Sequence, residues 1–489
     1  MKLFSYLTFL FLINTAIQGN IQLDSLIELG KEYSYQFEFQ KAHKIYEEAI
    51  QKYPSSPFAH HYLSQNYLWF YLGSKDSLYK NLYNKYSDMA FSIAELLYDQ
   101  NENNPQLNNL MGQLFLLRSM MYATEGNSVD AFWAIKSSFS HLEEAIELDQ
   151  NYYDPYLGIG TIKYALSFVP GFLGWAISIT GLSGDKEEGL RLIKSAYDKS
   201  LTSRTEASYH LSKIYTEYNA EYDSAKIYLT HLIDIYPNNI LFLYQYAVLL
   251  IDTKELNKAD KILSKVIEIK SIEFSQTTSF AIFLKAEIAF KQNEFDTAIL
   301  LYDKFLQSSN SIDYTGLAHF KIGIACEMTN KSLLAKKYFI LARNGNLDIS
   351  EDIKAKNDSY LYYSKNFSEN DRSLILAENY FESGKYIESL NAIYQVNISD
   401  LDFESSFKTR IMEAKSYLLL GEINKAKKVV EDIKGRNNIT STSVLSEYFL
   451  VLAKIEYSNA NYEKTKEYLN SAFEYCEESD NKLMRYLVN

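Results

Sequence analysis

Along most of the chain, small and bulky apolar positions recur at helical spacing in paired segments, and the pairs follow one another in a fixed register. Residues 29–54, LGKEYSYQFEFQKAHKIYEEAIQKYP, hold Gly30, Tyr33, Ala42, Tyr46, Ala49 and Pro54. Two small residues twelve apart, Gly30 and Ala42, suit the point where two antiparallel helices cross, with aromatic rings filling the gaps beside it. The same spacing returns as Ala247 with Ala259, Ala286 with Ala298 and Gly323 with Ala335, then as Ala377 with Ser389, Ala414 with Ala426 and Ala453 with Thr465. Apolar residues follow the second member one and two turns on: Leu263 and Val266, Tyr302 and Phe305, Phe339 and Ala342. A further copy, Ser212, Tyr215, Ala225, Leu229, Leu232 and Pro237, carries one extra residue in its turn. The pattern predicts an all-α chain of about ten helix pairs and no β-sheet.

The early pairs are stretched. Phe58–Leu72 and Ser87–Tyr98 read as one, Leu107–Tyr122 and Ala131–Leu148 as the next. Between Lys163 and Asp185 the chain carries no charge, YALSFVPGFLGWAISITGLSG. Pro170 should end the helix arriving through Tyr164, Gly181 is suited to an αL cap, and Asp185 with Glu188 reads as a capping box. The expected product is an apolar hairpin between the two helices of one repeat, with Phe168, Pro170, Phe172, Leu173, Trp175 and Ile177 as its characteristic residues. We expect it to fold back as a buried plug, docking on a membrane surface being the alternative. The polar stretch 346–370, interrupted by Tyr360-Leu-Tyr-Tyr, reads as a linker. The expected organisation is therefore a signal over 1–19, irregular pairs over 20–150 and the insert-bearing pair over 151–204 (insert 164–184). A regular array over 205–345, the linker 346–370 and a C-terminal array over 371–489 follow.

Composition changes the picture in three places. Lys2, the apolar run Leu3–Ile13 and the small or polar end Thr15–Gly19 predict export, hence a periplasmic or extracellular protein, membrane-associated if the insert docks. A formal net charge of −13 over 489 residues argues against nucleic acid as a partner. Cys326 and Cys476 sit in different repeats without metal-ligand spacing, so both read as buried small hydrophobes and not as a disulfide.

The repeats resemble the tetratricopeptide repeat superfamily over nearly the whole chain, which implies a right-handed helical-hairpin solenoid. More narrowly, YALSFVPGFLGWAISITGLSGDKEEGLRLI resembles the apolar insert of the Iml2/tetratricopeptide repeat protein 39 family. Lys186 stands where that family shows Arg, and Leu182 where it shows an aromatic. The resemblance implies a non-catalytic scaffold with links to membranes, lipid or aggregate handling, and it transfers no active site. That family is intracellular, whereas this chain carries an export signal.

The search for chemistry finds none. The seven histidines, His43, His60, His61, His141, His210, His231 and His319, form no two-ligand helical motif and read as surface or interhelix polar residues. Gly181-Leu-Ser183-Gly184 lacks the spacing of a nucleophile elbow. No cofactor and no metal is expected, and an enzyme with an unrecognised site is the competing class. The candidate site is the concave face. Tyr209, Tyr244, Phe283 and Phe320 fall at one repeat position, and Lys213, Val248, Glu287 and Ile324 lie one turn on. Such an aromatic ladder suits an extended peptide or an amphipathic helix of a protein partner.

Overall fold

The computed structural model describes residues 21–168, 181–433 and 439–475, and it is helical, with no strand, among them. The predicted signal at 1–19 lies outside the described residues. Helix α1 spans residues 21–35. There follow α2 (Phe39–Lys52), α3 (Phe58–Ser74), α4 (Ser77–Tyr98), α5 (Pro105–Thr124), α6 (Ser128–Leu148), α7 (Pro155–Leu166) and α8 (Lys186–Lys199). Next come α9 (Arg204–Lys213), α10 (Tyr222–Ile235), α11 (Ile240–Asp252), α12 (Leu256–Ile269), α13 (Ser275–Lys291), α14 (Phe295–Ser308), α15 (Thr315–Met328) and α16 (Ser332–Leu341). The chain continues through α17 (Ser350–Ser364), α18 (Glu369–Glu382), α19 (Tyr386–Ile393), α20 (Phe403–Leu419), α21 (Ile423–Glu431), α22 (Thr442–Ser458) and α23 (Tyr462–Glu474). The starts are locally encoded. Asn104 accepts from Leu107 N at 3.0 Å ahead of Pro105, and Ser368 with Asp371 forms a capping box for α18. The extra residue after Ser212 is absorbed as a π-helical turn, Ile214–Asn219, the usual way a helix takes up one surplus residue.

Two compact units divide the chain. The first comprises residues up to Lys213 with Lys226–Leu243 and Ser271–Phe274; the second comprises Ile214–Ala225, Tyr244–Lys270 and the chain from Ser275.

In the first unit the small-residue rule holds. A Cβ on Gly30 would lie 2.3 Å from Tyr46 Cε1, and Tyr46 is fully buried there. Helix α1 also closes on segments far along the chain. Lys31 Nζ donates to Thr202 O at 3.0 Å, Tyr236 OH to Glu32 at 3.1 Å, and Asn239 Nδ2 to the Tyr35 carbonyl at 3.0 Å. Tyr35 packs there with Leu232, Tyr236 and Phe242.

The core of the second unit holds Phe283, Phe290, Tyr302, Phe305 and Phe339. The expected linker contains α17, fifteen residues long. It packs on α15 and α16 through Tyr362, whose ring meets Phe320 and Phe339 at 5.6 and 5.9 Å. The following helix, α18, pairs with α19 instead and also touches α13. Asn379 Nδ2 on α18 donates to the Phe290 carbonyl at 2.9 Å, Ser383 Oγ to the Lys291 carbonyl at 2.7 Å, and Lys254 Nζ to the Phe381 carbonyl at 2.7 Å.

Candidate functional site

The ladder residues are on the helices expected of them, but much of the ladder is interior. Tyr209 and Lys213 belong to the first unit and the other six to the second. Tyr209 joins the cluster around Tyr35, its ring 5.5 Å from Phe242. Phe283 and Ile324 are buried, which corrects their reading as groove-lining residues. Phe283 packs against its own hairpin mate through Tyr302 and Phe305, and against Tyr314. Glu287 accepts a hydrogen bond from the buried Tyr302 hydroxyl. Phe320 is half-buried beneath Tyr362. Tyr244 and Val248 are half-buried on α11.

In the first unit buried charged groups meet instead, and no local pattern along the chain pairs them. Lys31 is almost fully buried and bridges Glu28 at 3.0 Å as well as Thr202 O. Glu206 accepts from Gln65 at 3.1 Å and from the Tyr35 hydroxyl. Burial raises the Glu206 carboxyl above its ordinary range, with the Lys31 ammonium pulling the other way. Burial likewise raises the Tyr35 phenol far above its usual value, and the Glu206 charge adds to it. Asp154, also buried, holds the Ser200 hydroxyl and Thr202 N. His60 and His61 are buried, not superficial. Burial takes His61 down to about 4, against a hydrogen bond to Gln113 that opposes the shift. A network this enclosed, joining residues up to 175 apart in sequence (31 to 206), ties distant segments of the first unit together and rigidifies them.

The apolar insert leaves and re-enters at one place. Asp185 N donates to Lys163 O at 3.1 Å, and a Cβ on Gly184 would fall 2.4 Å from the Leu166 and Ser167 backbone. Leu166 and the buried Leu182 share one cluster with Ile159, Ile162 and Leu192. Gly181 takes the expected left-handed conformation, φ +81, and Asp185 caps α8 by accepting from Glu188 N at 2.9 Å. Phe168 meets Tyr164 edge-on yet remains 42% exposed. Pro170, Phe172, Leu173, Trp175 and Ile177 lie outside the described residues.

Two other features of the second unit were not anticipated. The turns at Ala220–Ser224, Asp252–Lys254 and Ser383–Tyr386 border a cleft of 770 Å³. Lys254 sits there over the Phe381 and Tyr386 rings at 4.5 and 5.2 Å, and burial lowers its pKa. The outer side of α16 and α17 leaves Leu333, Leu361 and Tyr360 exposed by 86, 58 and 51%. Among the described residues no group of three or more His, Cys, Asp or Glu is placed to hold a metal, and no helix is long and apolar enough to cross a membrane. Cys326 is free and buried, its thiol pushed up to about 11 by burial.

No curated protein matches the sequence. Among solved structures, a tetratricopeptide repeat protein from Parabacteroides merdae is 15% identical, covering 58% of this chain and 99% of its own, with a TM-score of 0.26. Yeast Tom70 is 12% identical over 91% of this chain and 97% of its own, TM-score 0.30. Human IFIT1 is 13% identical over 85% and 94%, TM-score 0.33. At these scores the likeness is one of repeated helical hairpins and nothing more specific. The family model of Iml2/Tetratricopeptide repeat protein 39 matches residues 40–315, more than half of the chain and the whole stretch that contains the insert. This chain, with its pinned apolar insert between α7 and α8, is a member of the Iml2/tetratricopeptide repeat protein 39 family.

Proposed function

We propose that the chain is an exported scaffold that binds protein partners on its outer faces and catalyses no reaction. The observation that carries this reading is the division of its surfaces. Phe283 and Ile324 of the ladder are buried in the core, while large apolar residues such as Leu333 stay uncovered. Contiguous uncovered apolar surface on a folded chain marks a contact site. Lys2 and the apolar run to Ile13 support export, with cleavage near Ala16 or Gly19.

The test is affinity capture on the full chain from extracts of its source, followed by titration with each purified candidate. A partner that saturates at equimolar ratio supports the scaffold. The absence of any saturable partner, or an activity abolished by a single polar substitution, would sink it. N-terminal sequencing of fractionated protein checks export; an intact Met1 in the cytosol refutes that part. A second reading, contact of residues 167–182 with a membrane surface, is favoured by the half-exposed Phe168 ring at the neck of the insert. Flotation with liposomes, lost on Phe168→Asp, would support it.

A further inference from the structure

Helix α17 departs from the hairpin order of its neighbours. It packs on α15 and α16, but the helix after it turns away to pair with α19. The exposed side of α17 carries Ile353, Tyr360 and Leu361, uncovered by 41, 51 and 58%. Beside them on α16 stand Leu333 and Ile340, exposed by 86 and 46%. The two rows are joined by cations. Arg343 lies over the Tyr360 and Tyr363 rings at 4.1 and 5.2 Å, and Lys336 over Tyr363 at 5.9 Å.

The charge of this segment runs against that of the chain. Between Lys331 and Lys365 there are seven basic and four acidic residues, a net +3 in a chain of −13. Asp352 is buried and spent on Leu317 N and Asn346 N at 2.7 and 2.8 Å. Lys331 and Lys365 are paired with Asp296 and Asp371. Lys336 and Lys337 remain exposed, and Arg343 Nε is buried with no acceptor. Tyrosine and arginine around an apolar centre are the composition of protein-binding hot spots.

We propose that the exposed face of α16 and α17 binds an amphipathic helix with acidic flanks from a partner protein, seated across the uncovered apolar residues of both helices. The proposal rests on the scaffold reading and names its site and the chemistry of its partner. One helix fits because the exposed apolar residues form two adjacent rows, one on each helix, with Lys336 and Arg343 lying between them over the α17 rings. The apolar stripe of the ligand would cover Tyr360, Leu361 and Ile340, and its carboxylates would meet Lys336, Lys337 and Arg343.

The test uses the full chain and a labelled synthetic helix of about 18 residues, long enough to form, with one apolar stripe and glutamate flanks. A twin carries lysine flanks, and phosphatidylglycerol vesicles form a third arm. Anisotropy should show the glutamate helix saturating at least roughly tenfold tighter than the lysine twin and weakening with salt, as charge pairing requires. Lys337→Glu, at an exposed position that leaves folding intact, and Arg343→Glu should each weaken it about fivefold or more. Equal binding of the two helices, no saturation, unchanged variants, or vesicle flotation in place of helix binding would overturn the proposal. A captured partner that both variants retain would overturn this site alone and leave the scaffold reading standing.

Discussion

Replacing Gly323 with alanine sets helix propensity against packing at the crossing point of one hairpin. Propensity alone predicts a gain of about 1 kcal/mol, since glycine is the poorer helix former. Sterics predict the reverse. The new Cβ would stand 2.5 Å from Phe339 Cε1 and 2.7 Å from its Cδ1. That ring has nowhere to go: it is fully buried and held by Phe320 at 5.8 Å and Tyr362 at 5.9 Å. Overpacking costs about 1–3 kcal/mol, and contacts this short place it in the upper part of that range, about 2–3 kcal/mol, so the net effect is a loss of roughly 1–2 kcal/mol after the propensity gain. Phe339→Leu alone should also destabilise, by roughly 1–3 kcal/mol of lost packing, but it opens the space the new methyl needs. The double variant should therefore be more stable than the sum of its parts by about 1 kcal/mol or more. Peptide-resolved hydrogen exchange over residues 315–341 reads this directly, because 1.4 kcal/mol corresponds to tenfold faster opening. Unchanged or slower exchange in Gly323→Ala, or strict additivity with Phe339→Leu, would refute the reasoning.

Acid should loosen the first unit. His43, His61 and His210 are held at about 4 by burial, below an unfolded value near 6.5, so the unfolded chain takes up protons first and stability falls from about pH 6.5 down to 4. For His61, enclosed beside Gln113 and Lys31, the full effect is about 3 kcal/mol, and His61→Gln should flatten that part of a urea-midpoint profile against pH. Removing the cap of α8 by Asp185→Ala should cost about 1 kcal/mol, seen as faster exchange confined to residues 185–199. Asp352→Ala strands the Leu317 and Asn346 amides and should cost about 3 kcal/mol; increased protease cutting near residues 345–365 checks it.

What the sequence could disclose follows from how local each feature is. The register of Gly323, Ala335 and Phe339 is written within seventeen residues, and the hairpin follows from it. The surplus residue after Ser212 was legible as a surplus, though only the backbone shows it taken up as a π-turn. Asp185 was legible as a cap, yet only half of the expected box forms, Glu188 turning to Arg191 at 2.7 Å. Helix α17 was hidden because its buried side is made of Asp352, Ala355 and Ser359, a polar stripe that imitates a linker. The ladder misled for a different reason. Repeat position tells which way Phe283 points, but not what waits there. The contact of α1 with Asn239, two hundred residues on, depends on how repeats accumulate around a turn, and no window of sequence contains that.

The pinned neck of the insert has a consequence for how this family can vary. Because Asp185 N bonds to Lys163 O, and Leu166 and Leu182 share one cluster, the register of α7 against α8 is fixed at the neck of the insert. Closing a loop already held at its base costs only about 0.6 kcal/mol for each doubling of its length. A change of length between Leu166 and Leu182 leaves those neck contacts in place. The repeat array thus has a position where new sequence can be tried at little structural risk, and change in what the protein touches need not wait for change in how it folds.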